Sequence, residues 1–134
     1  MQRSLSSHRA GKTASLRVAL VLGGISGAAG VMLMALSAHA DTTGLLKTAA
    51  EMLLFHAPVF LVLGALSQIR KILLHPAAMA LLALGLFLFA GDLASRAFLD
   101  QRLFPMAAPS GGVLLILGWA TIALGALRIG AREP

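Results

Sequence analysis

Four stretches of this chain are apolar for long enough to cross a bilayer, and the polar residues fall mostly between them. A membrane span needs about 20 predominantly apolar residues, and an uncharged run of about 18 or more is a candidate. The first run, 18–38, has 21 residues and makes roughly 31 Å of helix at 1.5 Å per residue. The second covers 51–69 and contains His56 and Pro58. The third covers 75–98, uncharged as far as Gly91 and then carrying Asp92 and Arg96. The fourth covers 110–128. Short connections between long helices make neighbours antiparallel. The pattern therefore predicts an all-α integral membrane domain over 16–130, a four-span antiparallel transmembrane helix bundle. It is preceded by a flexible basic tail over 1–15.

Composition supports this solvent assignment. Apolar residues make up 58% of the 134-residue chain, charged residues 12%, and mean hydropathy is +0.88. A soluble domain carries about 25% charged residues, so too few are present to cover a water-facing surface. Zero cysteines exclude a disulfide framework, a thiol nucleophile and a thiolate metal site. The net charge of +6 is interrupted by the apolar runs and forms no basic face, which argues against nucleic acid as a partner. The bilayer is the expected partner instead.

The basic residues orient the chain. With the N-terminus inside, Arg3, Arg9, Lys12, Arg17, Arg70, Lys71, Arg128 and Arg132 lie in the cytoplasm. Only Lys47, Arg96 and Arg102 lie outside. Cytoplasmic loops are enriched in Lys and Arg, so the bias predicts an N-in/C-in topology. A competing parse exists, because a basic start, an apolar run and Ala38-His39-Ala40 before Asp41 also resemble a secretory signal peptide. The run is longer than the usual 7–15-residue signal core and carries glycines at packing spacing, so retention of the first span is expected.

Small residues mark where helices can approach. Lipid provides no hydrophobic drive between helices, so close packing of small residues must hold them together. The first span carries Gly23, Gly27 and Gly30, with Ser37 on the same stripe, and a second stripe of Gly24, Ala28, Ala35 and Ala38. Two small faces predict a central helix touching more than one neighbour. The fourth span places Gly111, Gly118 and Gly125 seven apart; the third places Ala78, Gly85 and Asp92 likewise. In the second, His56, Gly64 and Ser67 share a face. The GGISGAAG run lacks the spacing, the preceding strand and the Lys-Ser/Thr of a nucleotide loop. Pro58 is expected to kink the second span, while Pro76 falls near the start of the third, where its missing N–H is harmless. Ser110 is the expected N-cap of the fourth. Trp119 lies too deep for an interfacial belt and is expected to pack on a partner helix.

Ionisable residues inside a span are costly and mark candidate sites. This topology gathers His39, Glu51, His56, Asp92 and Arg96 toward one end. His56 and Asp92 are expected to face the interior close together, rimmed by His39 and Glu51, with Arg96 pairing Asp92 at i, i+4. The plainer account is a purely structural set of interhelical bonds. A proton relay through His56 and Asp92 is the sharper one. No tight histidine pair supports a metal site, no attachment motif supports haem, and no elbow motif supports Ser-His-Asp hydrolysis. No cofactor is expected. His8 and His75 are expected to be solvated.

Several segments in this order resemble the domain-of-unknown-function family 423, small inner-membrane proteins. They are the Gly-rich first helix ending in Ala38-His39-Ala40, Thr48-Ala49-Ala50 leading to Phe55-His56-Ala57, and Leu86-Phe87-Leu88-Phe89-Ala90-Gly91-Asp92. Pro109-Ser110-Gly111-Gly112 followed by Gly118-Trp119 completes the set. The family often has Tyr near the second-helix His and Ser in place of Asp92; this chain has no Tyr. The resemblance implies a retained first helix and a bacterial inner-membrane address, and no established activity. The expected function is non-enzymatic: a packing or accessory protein of a larger membrane complex or a homo-oligomer. The alternative is a small solute or proton conductor built on the polar pocket around His56 and Asp92.

Overall fold

The computed structural model describes residues 2–40, 43–69 and 74–127, with side chains from residue 11 onward except Lys12. Arg70, Lys71, Arg128, Arg132 and Asp41 lie outside the described residues, as do the side chains of Arg3, His8, Arg9 and Lys12. Four helices follow in order: α1 (Gln2–Ala40), α2 (Leu45–Ile69), α3 (His75–Leu99) and α4 (Ala107–Ala126). Each is long and apolar enough to cross a membrane. The backbone of α1 is helical from Gln2, so no break marks the boundary between the basic segment 1–15 and the span. That segment contains no proline to interrupt a helix.

Two helix starts differ from the pattern in the sequence. Thr43 and Gly44 (φ 77°) form a turn in which the Thr43 hydroxyl accepts the Leu45 N–H, so α2 begins at Leu45, before Glu51. A charged pair near a span end does not stop a helix that reaches into the headgroup layer. Similarly, α4 begins at Ala107 rather than after Ser110. Pro109 falls in its first turn, where no N–H partner is needed. Met106 precedes the helix in a left-handed conformation (φ 70°), and Ser110 donates its N–H to the Met106 carbonyl rather than capping.

The helices form two antiparallel hairpins joined along α2 and α3. Gly23 lies against Leu61, Gly27 against Ala57 and Gly30 against Leu54, so α1 and α2 run opposite ways. On the other side Gly111 lies against Phe89, Gly85 against Leu115 and Gly118 against Leu82. The main contacts are α1 on α2, α3 on α4 and α2 on α3; α1 only grazes α3, and the α4 backbone approaches neither α1 nor α2. The expectation of a central α1 is therefore corrected: α2 and α3 are central. α1 buries a single stripe, Ala19, Gly23, Ser26 and Gly30, while Gly24, Ala28, Ala35 and Ala38 are exposed. A small face permits close approach, but without a neighbour it stays open. The main core gathers Ala19, Phe60, Leu63, Met79, Leu82, Leu86 and Leu115, and a smaller one gathers Ala49, Ala90, Leu93 and Ala108.

Candidate functional site

Two polar side chains inside the bundle, His56 and Asp92, act as fasteners. His56 is buried on α2, and Trp119 on α4 reaches it: the indole N–H donates to His56 Nε2 at 3.3 Å. An indole nitrogen can only donate, so Nε2 is the acceptor and the ring proton resides on Nδ1. That Nδ1–H donates to the Met52 carbonyl at 2.7 Å, one turn earlier. One tautomer thus satisfies both contacts, with the rings tilted at 59° and their centroids 6.0 Å apart. This bond joins α2 to α4 where their backbones do not meet.

Asp92 is fully buried, at 0% exposure. Its Oδ1 accepts the Leu103 N–H at 2.9 Å, eleven residues ahead in the α3–α4 connection. One turn further along α3, Ser95 donates its hydroxyl to the Gln101 carbonyl at 2.8 Å. Asp100, in a left-handed conformation (φ 54°), ends α3 and turns the chain back toward these two anchors. Asp92 Oδ2 is buried and has no hydrogen-bond partner among the described residues.

The expected cluster divides on inspection. His56 and Asp92 are both buried, as their cost in lipid requires, but no hydrogen bond or ion pair joins them among the described residues. Their depths also differ. His56 is 11 residues inside α2 and Asp92 is 7 from the end of α3, or about 16 Å against about 10 Å from that end of the bundle. Glu51 lies inside α2 and contacts Lys47 at 4.0 Å, with both side chains substantially exposed. Such a pair contributes little. His39 is exposed on the last turn of α1. Arg96 makes no ion pair with Asp92; it borders a polar hollow of about 340 Å³ with Thr43, Leu45, Asp100 and Arg102. Among the described residues no three His, Cys, Asp or Glu side chains gather to hold a metal ion.

The packing glycines have definite neighbours. Gly23, Gly27 and Gly30 face α2, and Gly111 and Gly118 face α3; Gly125 is buried. Of the shared face on α2, His56 turns to α4 while Gly64 turns to Ala19 of α1. Two residues differ from the sequence expectation. Trp119 is half-exposed and supplies a hydrogen bond as well as packing; a donor-only side chain in an apolar span is the signal that an acceptor lies on a facing helix. His75 is buried rather than exposed, and among the described residues neither ring nitrogen has a hydrogen-bond partner. As the first residue of α3 it looked like a boundary residue, but its side chain turns inward against α2 and α4 residues.

Fold and fastened interior together define a small multi-pass integral membrane protein. The chain belongs to the family described as "Protein of unknown function (DUF423)", whose pattern matches residues 26–112. It is 34% identical over 120 residues to UPF0382 inner membrane protein YgdD of Escherichia coli (strain K12), covering 84% of this chain and 92% of that protein. A UPF0382 membrane protein of Haemophilus influenzae is 30% identical over 116 residues, covering 81% and 93%. No solved structure matches. The protein is accordingly an inner-membrane protein of a family without an established activity.

Proposed function

We propose that the protein is a non-enzymatic accessory or interaction protein, oriented N-in/C-in, that packs against a larger membrane complex or a second copy of itself. Nucleic acid has no part in this proposal. The observation that supports it is how the interior polar groups are spent: both His56 nitrogens are bonded within the bundle, and Asp92 ties down a connection. A proton relay through His56 would have to break the bond that links α2 to α4. The open small face of α1, Gly24, Ala28, Ala35 and Ala38, is the kind of surface on which helices associate in lipid.

The test is purification in mild detergent from native membranes. Recovery with a stoichiometric membrane partner, or as a defined oligomer, is expected. That association should survive His56→Ala and Asp92→Ala wherever the bundle still folds. A lone polypeptide would overturn the proposal. The second reading, a small solute or proton conductor, draws on one observation, the buried Asp92 Oδ2, which has no partner among the described residues. It requires flux in proteoliposomes that Asp92→Asn abolishes in a folded protein.

A further inference from the structure

The polar hollow at the end of the bundle, about 340 Å³, is walled by Thr43 and Leu45 on one side and by Arg96, Asp100 and Arg102 on the other. Two arginines stand there against one aspartate, so its walls are net positive. Arg96 is half-buried and Arg102 is exposed. Among the described residues neither guanidinium makes an ion pair or a hydrogen bond, with Asp100 or with any other group. Other charged side chains toward that end are engaged elsewhere. Lys47 and Glu51 contact each other at 4.0 Å, and the buried Asp92 holds the Leu103 N–H. Two guanidinium groups on one hollow repel each other and gain by sharing an oxyanion. Their planar forks of N–H donors match the oxygens of a phosphate.

The apolar side chains beside the hollow identify what carries the oxyanion. Arg102 is followed directly by Leu103 and Phe104, and then by Met106, all exposed. They belong to the connection between α3 and α4, outside both helices. Facing water, such a run would be an exposed apolar patch. The bond from the Leu103 N–H to the buried Asp92 Oδ1 fixes this run beside the two arginines. Between Arg102 and Leu103 the surface thus changes from cationic to apolar, as a phospholipid changes from phosphate to acyl chain. We propose that the hollow binds the phosphate of an anionic phospholipid head group. Arg96 and Arg102 donate to its oxygens, and Leu103, Phe104 and Met106 lie against its hydrocarbon. The site needs neither a given orientation of the chain nor a protein partner.

The full chain, carrying isotope-labelled arginine and held in a neutral maltoside micelle, is titrated with short-chain phosphatidylglycerol while NMR follows the guanidinium N–H resonances. Saturable shifts at Arg96 and Arg102 are expected. Arg102→Gln should weaken binding, read at Arg96, about threefold, the worth of an exposed ion pair. Asp100→Asn removes the acid that lines the hollow and should tighten binding about threefold. Asparagine also tolerates the left-handed backbone there (φ 54°). Both positions are exposed, so neither change disturbs the core. Arg17→Gln, toward the opposite end of α1, should change nothing. Inorganic phosphate should bind more weakly than the lipid, and diacylglycerol, which has no phosphate, should not shift the two arginines. The proposal is overturned if phosphatidylglycerol gives no saturable shift, or if Arg102→Gln and Asp100→Asn leave the affinity unchanged. A loss in Arg17→Gln equal to that in Arg102→Gln also overturns it, as does inorganic phosphate binding as tightly as the lipid or an equal shift with diacylglycerol.

Discussion

Adding one methyl group at Gly111 should do far more damage than adding one at Gly27, although both glycines lie on packed stripes. A Cβ at Gly111 would stand 2.5 Å from the Phe89 nitrogen, 2.7 Å from the Gly85 carbonyl oxygen and 3.0 Å from the Phe89 Cα. All three are backbone atoms with no rotamer to move away. Non-bonded heavy atoms rest at about 3.5–4.0 Å, so α3 and α4 would have to part by about 1 Å. A gap of that size forfeits a quarter to a half of each contact across the crossing, and overpacking costs about 1–3 kcal/mol. Replacing a helical glycine by alanine returns about 1 kcal/mol, which leaves a net loss of up to about 2 kcal/mol for Gly111→Ala. At Gly27 the new Cβ meets only the Ala57 Cβ, at 3.7 Å, an ordinary contact, so Gly27→Ala should gain up to about 1 kcal/mol. Unfolding each variant in mixed micelles with rising dodecyl sulfate, followed by circular dichroism, measures the difference. Equal stability of the two variants would refute a backbone-on-backbone crossing of α3 and α4.

Trp119→Phe removes the donor to His56 Nε2 and should cost about 0.6 kcal/mol, the average for interhelical hydrogen bonds in membranes, and no more than about 1.7 kcal/mol. A double-mutant cycle with His56→Ala should recover that coupling, and additive effects would show that the two rings do not interact. Asp92→Asn keeps an acceptor for the Leu103 N–H and should leave amide exchange at Leu103 nearly unchanged. Asp92→Leu should speed that exchange about fivefold or more, since a lost partner is worth about 1–3 kcal/mol. A reporter fused to the C-terminus should register from the cytoplasm, and one active outside the membrane would reverse the N-in/C-in proposal.

The spans were legible because crossing a bilayer is a local property: a run of uncharged apolar residues suffices, and α1 to α4 each contain one. Where a helix starts is less local. Glu51 and Ser110 resemble boundaries, yet the Thr43–Gly44 turn and the left-handed Met106 set the starts further back. Burial of His56 and Asp92 was legible from cost alone. Their partners were not, because a partner depends on the relative height and rotation of helices far apart in the chain. Trp119 reaches His56 across 63 positions, held in register by the α3 that both helices pack toward. Asp92 turned to its own connection because Leu103 presents an unsatisfied N–H nearby.

The two hairpins are also closed differently, and this bears on which can yield to a partner. Where α3 and α4 come closest, Gly85 and Gly111 face each other's backbone, which has no rotamer to change; only Gly118, further along, receives a branched side-chain end, that of Leu82. At the α1–α2 crossing, Gly23 and Gly30 receive the branched ends of Leu61 and Leu54, which can change rotamer as α1 shifts. α1 is also the least buried span and only grazes α3. Any rearrangement on association should therefore fall on α1, whose second small stripe already faces outward, while α3 and α4 keep their register. Cysteine pairs across Gly85 and Leu115 should then crosslink equally with and without the partner, and pairs across Gly27 and Ala57 should change. Unchanged α1–α2 crosslinking together with altered α3–α4 crosslinking would place the adjustable hairpin on the wrong side of the bundle.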